Sequence, residues 1–117
     1  MKDYRVDFEA LPWELVMDGV RQKVVADSEK RVRLVEYSKS MPPHWCIKGH
    51  YGCILKGRFE IEFRDGTRVF EEGDGVFIPS GEEHRHKARV LSDSVTAIFT
   101  EDAEPCVAGY GSQARRT

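Results

Sequence analysis

Apolar and polar residues alternate along most of this chain. The cleanest stretch is 58–63, where Phe59, Ile61 and Phe63 fall on one face and Arg58, Glu60 and Glu62 on the other. A period of two is that of a strand with one face buried and one wetted. Shorter runs of the same kind are read at 20–26, 32–37, 51–55, 67–70, 76–78, 84–90 and 94–99. Turn residues separate them: Asp27-Ser28-Glu29, the proline-bearing segment 38–43, Lys56-Gly57 and the hairpin pair Asp65-Gly66. The pattern has no sustained helical period. It predicts an all-β antiparallel sandwich or barrel of about nine or ten short strands.

At 117 residues the chain is the size of one domain, 1–117, with an expected core at 20–100 and an irregular Gly-rich polar tail at 101–117. Eighteen basic and twenty acidic residues leave a net charge of −2, so neither nucleic acid nor an anionic membrane is an expected partner. The basic run Lys30-Arg31-Val32-Arg33 reads as the wet face of a strand. No apolar stretch approaches a membrane span, and the first residues do not open like a signal peptide. Three cysteines without such a signal predict free thiols and a cytoplasmic protein.

The chemistry is concentrated in two segments. In 73–84, Gly-Asp-Gly-Val-Phe-Ile-Pro-Ser-Gly-Glu-Glu-His, a buried strand ends at Pro79. Gly81 permits a positive φ there, and the chain turns back into a strand that begins at His84. In 43–57, strand parity lets His44, Cys46, Lys48 and His50 face one side, although Gly49 interrupts the run. His84 and His86 share a face in the second segment. All four histidines of the chain lie in these two segments, which points to a metal site. Two alternatives stay open: Cys46 is a ligand or a small packed thiol, and His86 is a ligand or supports the site from behind or toward a substrate.

The spacing of Gly73, Pro79, Gly81 and His84 resembles the second signature motif of the cupin superfamily. The segment His44, Cys46, His50 and Gly57 is similar to the first, with cysteine at the place of the second histidine and histidine at that of the glutamate. The resemblance implies a jelly-roll double-stranded β-helix. It also implies one divalent transition metal held inside by His44, Cys46, His50 and His84. Thiolate and imidazole favour zinc, with iron, nickel, copper or manganese open. Tyr37, Lys48, Cys53 or His86 would then orient or protonate a small-molecule ligand. The implied roles are Lewis-acid chemistry on a small polar molecule, ligand or metal sensing without turnover, or iron-dependent dioxygenation. Small cupins commonly pair through their N-terminal strands, so a homodimer covering Trp13, Leu15 and Val16 is expected.

Overall fold

The computed structural model describes residues 4–103. Its ten strands are β1 (Glu14–Met17), β2 (Val20–Ala26), β3 (Lys30–Ser38), β4 (Trp45–Cys46), β5 (His50–Lys56), β6 (Arg58–Phe63), β7 (Gly66–Glu71), β8 (Gly75–Ile78), β9 (His86–Val90) and β10 (Ser94–Asp102). The only helical elements among the described residues are two 3-10 turns, Phe8–Ala10 and Glu82–His84. No helix among these residues is long and apolar enough to cross a membrane.

The strands build two antiparallel sheets, one ordered β1-β2-β3-β10-β5-β8 and the other β4-β9-β6-β7. This is the antiparallel two-sheet arrangement the alternating pattern anticipates, in the jelly-roll form that the cupin resemblance implies. Asp27 closes the β2–β3 hairpin as an Asx turn, its Oδ1 accepting from the Glu29 and Lys30 backbone N–H groups at 2.8 Å. β3 and β10 pair over their full lengths, from Ser94 opposite Ser38 to Asp102 opposite Lys30. That ladder lies in the middle of the larger sheet, where its inward side chains are most protected.

Inward positions are the alternate ones. Val35, Val95 and Ala97 are fully buried, and Ile54, Phe59, Ile61, Val76, Ile78 and Phe99 nearly so. Each large aliphatic or aromatic side chain sealed there contributes about 1.5–3 kcal/mol relative to exposure. The alternation assigned to 58–63 holds, with Phe59 and Ile61 in the core and Phe63 packed at its margin.

Three local expectations change. The last strand does not stop at residue 99 but runs to Asp102, which puts Glu101 on the inward face after Val95, Ala97 and Phe99. The rest of the expected tail lies outside the described residues, apart from Ala103. The basic run at 30–33 is not a wet face, because Arg33 is buried and Arg31 half-buried, both turned to Glu101. Finally, no strand begins at His84. The Gly81 φ of 128° starts a 3-10 turn in which His84 N–H bonds the Gly81 carbonyl and Arg85 N–H the Glu82 carbonyl. The extra turn rotates His84 away, so His86 becomes the first inward residue of β9 and is 5% exposed.

Candidate metal centre

Four elements bring the candidate site together. β4 and β9 place Cys46 directly opposite His86 in the smaller sheet. His50 opens β5 in the larger sheet, paired with Ile78. The junction between them is fixed by close backbone approach. Gly49 N–H donates to Ser80 Oγ at 2.8 Å and Gly81 N–H to the Ile47 carbonyl at 2.9 Å. A Cβ at Gly49 would lie 2.5 Å from the Ile78 carbonyl oxygen, so only glycine lets the two motif segments touch.

One donor atom from each of Cys46, His50 and His86 lies within 4.8 Å of the other two. The orientation of both rings follows from their outer nitrogens. His50 Nδ1 is 2.5 Å from Glu101 Oε2. Burial alone would raise the Glu101 pKa, but hydrogen bonds from His50 and Arg33 outweigh it and hold the carboxyl far below the ordinary range. An ionised carboxylate only accepts, so Nδ1 carries the proton and Nε2 keeps its lone pair. His86 Nδ1 donates to the His84 carbonyl at 3.1 Å, which leaves Nε2 as its lone-pair nitrogen too. That Nε2 is buried and has no hydrogen-bond partner among the described residues. A buried polar atom without a partner is costly, and a metal ion is the kind of group that satisfies it. Cys46 Sγ accepts the Lys48 backbone N–H at 3.4 Å, which fixes the direction of the sulfur; a thiol loses its proton when it ligates a metal. Thiolate plus two neutral imidazoles, each braced by an acceptor on the far nitrogen, is a donor set that fits zinc and its neighbours.

These residues line a cavity of about 310 Å³ that also receives Arg31, Arg33, Tyr37, His44 and Lys48. His44 is exposed, its Nδ1 3.2 Å from the Pro42 carbonyl, and it reaches the cavity from the loop before β4. His84 is not brought to the cluster. It lines a different, wider cavity of about 510 Å³ with Phe63, Phe70 and Phe77. Lys48 and Tyr37 do line the site cavity, and burial keeps the Tyr37 phenol above its ordinary pKa. Cys53 takes the opposite strand parity from His50 and Ile54, opposite Ile98 on the outer face, and leaves the set of candidate acids and bases.

The residues not anticipated are Glu101, Arg31 and Arg33. Glu101 Oε1 accepts from Arg31 Nε and Arg33 Nε, and Oε2 from Arg33 Nη2, all at 2.9 Å. The signal was present in the sequence: Glu101 continues the parity of Val95, Ala97 and Phe99, and a carboxylate at an inward position implies buried cations nearby.

A double-stranded β-helix with a His/Cys cluster between its sheets defines the class. Residues 31–100 match the family model described as a cupin domain, and the chain belongs to that family. Solved structures agree in fold. KdgF from Halomonas sp. is 22% identical with a TM-score of 0.67, covering 83% of this chain and 92% of its own. The polyketide cyclase RemF from Streptomyces resistomycificus is 20% identical with a TM-score of 0.70, covering 91% and 83%. An RmlC-like cupin from Shewanella frigidimarina is 15% identical with a TM-score of 0.68, covering 88% and 93%. Among curated proteins none is similar enough in sequence to match.

Two predictions follow from this geometry. Replacing Glu101 by Gln removes the charge that the arginines and His50 surround. It should cost about 3–5 kcal/mol of stability and weaken zinc binding about 10–100-fold. Chemical denaturation and competition with a chromophoric chelator measure the two effects. The second concerns pH. Burial, aided by the neighbouring His50, lowers the His86 pKa from 6.5 to about 4, and burial lowers that of His50. Between those values the unfolded chain binds protons that the folded chain refuses. The metal-free protein should therefore lose stability as pH falls from about 6.5 toward about 4. Melting temperatures across that range check this, and a flat profile would contradict the burial of neutral imidazoles.

Proposed function

We propose that this cupin holds one divalent transition metal, zinc by preference, through Cys46, His50 and His86, and uses it to bind a small polar molecule in the cavity between the sheets. The observation that carries the proposal is the buried, unpartnered Nε2 of His86 beside Cys46 and the correctly oriented His50. His86 takes the place that the motif spacing gave to His84, and His44 at the cavity is the candidate fourth ligand. When bound, such an ion acts as a Lewis acid toward an oxygen-containing ligand. The chain's own groups do the rest. Glu101 fixes the His50 ring, the Tyr37 hydroxyl offers a proton donor at the cavity wall, and the apolar margin of Val20, Met41 and Ala88 limits water. Iron-dependent oxygenation is a poorer fit. Its usual ligand set includes a carboxylate, and Glu101 is committed to His50 and two arginines.

Protein purified without added metal or an affinity tag should contain about one metal per chain by elemental analysis. His86→Ala should lose it and His84→Ala should keep it, and retention by the His86 variant would overturn the assignment. Cobalt substitution should give an intense near-ultraviolet thiolate charge-transfer band that Cys46→Ser abolishes. A homodimer is also proposed, because Leu15 and Val16 on the edge strand β1 are 80% and 49% exposed and Trp13 is 36% exposed. Light scattering at micromolar concentration should return twice the chain mass of 13.4 kDa. A value near 13.4 kDa would remove the dimer.

A further inference from the structure

The walls of the site cavity carry an imbalance of charge. Arg31, Arg33 and Lys48 line it, and no aspartate or glutamate does. The nearest carboxylate, Glu101, has a side chain with no solvent exposure and is saturated by four hydrogen bonds. Three basic side chains therefore reach a chamber from whose walls carboxylates are missing, the buried Glu101 lying behind His50. These cations are desolvated as well as close. The Arg33 side chain is 8% exposed and that of Arg31 21%, while Lys48 as a residue is 8% exposed. Arg33 is fully used, with two nitrogens on Glu101 and Nη1 on Gln22 Oε1 at 3.2 Å. Arg31 gives Glu101 only its Nε, and its two terminal nitrogens have no hydrogen-bond partner among the described residues. A half-buried guanidinium with unspent donors at the cavity is a fork for a planar oxyanion. At about 310 Å³ the space suits a molecule of few heavy atoms.

We propose that the ligand taken up in this cavity is a small carboxylate anion, engaged by Arg31 and Lys48 on one side and by the metal-ligand cluster on the other. The inference deepens the metal reading, since it names the ligand class of the same site, but the cationic wall does not depend on the metal. A bound dication beside a single thiolate adds positive charge and strengthens the preference for anions. A neutral ligand without an anionic acceptor would leave the two terminal nitrogens of Arg31 unused.

The test is isothermal titration of the zinc-loaded protein, and of the same protein after chelation, with acetate, malonate and succinate and with their neutral amides. At least one carboxylate should bind about tenfold or more tightly than its amide in both forms, and its affinity should fall as salt rises. Arg31→Met and Lys48→Met should each weaken that carboxylate about tenfold in protein that still folds and takes up zinc, with Arg31→Met also lowering the melting temperature because Glu101 loses one of its donors. Arg31→Lys, which keeps the charge and loses the fork, should fall between. Amides binding as tightly as carboxylates would overturn the proposal, as would absence of binding by all three carboxylates, or unchanged affinity in both methionine variants. Elemental analysis of each sample keeps the two readings apart. Charge selectivity in protein that takes up no zinc when zinc is supplied removes the metal reading alone, and full zinc without charge selectivity removes this one alone.

Discussion

The structure depends most on one buried carboxylate. Removing an ionised group from water costs several kcal/mol even after the protein relaxes, and the cost is recovered only when its lone pairs are well satisfied. Glu101 meets that condition fully. Each oxygen accepts two hydrogen bonds, from Arg31 and Arg33 on one side and from Arg33 and His50 on the other. Four donors for about four acceptor positions leave nothing exposed. The same bonds join β3, β10 and β5 at the level of the site, so the fold of the larger sheet and the aim of His50 are set by one group.

Topology explains why these side chains meet. β10 lies between β3 and β5, with Glu101 directly opposite Arg31 and with Thr100 opposite Tyr51. Arg33 stands two residues along on the same face of β3, and His50 is the next inward residue of β5. Across the gap, the pairing of β4 with β9 sets Cys46 against His86. The cluster therefore bridges the two sheets. Each sheet supplies what the other lacks: the larger one brings an imidazole and its carboxylate, the smaller one a thiol and an imidazole held by a backbone carbonyl.

Much of this was legible from alternation alone. The two-residue period located most strands, and the concentration of every histidine in two segments located the site. Motif spacing pointed to His84, whereas the structure brings His86 to the cluster, because the two differ only by how the chain turns after Gly81. One 3-10 turn sends the first outward and the second inward. Glu101 and the arginines were missed for a different reason. A charged residue near a strand end is normally wetted, and composition carries no sign that Lys30-Arg31-Val32-Arg33 faces a buried carboxylate seventy residues away. Only the register of β3 against β10 makes that pairing, and register is a long-range property set by packing.

The placement of the carboxylate also bears on the chemistry. In the cupin pattern a glutamate sits among the ligands; here His50 stands at that position and the inward carboxylate, Glu101, stands one step back. A carboxylate ligand would lower the charge at the metal directly, whereas one behind a histidine raises the basicity of the ring and fixes its direction while leaving the cavity cationic. Cys46 then becomes the one anionic donor within the cluster. On the proposed reading, a thiolate and two neutral imidazoles around the ion, with Arg31 and Lys48 at the cavity wall, suit an anion held against a Lewis acid. On the same reading the two features act together: a histidine among the ligands leaves charge neutralisation at the ion to Cys46, and the carboxylate behind it aims the ring.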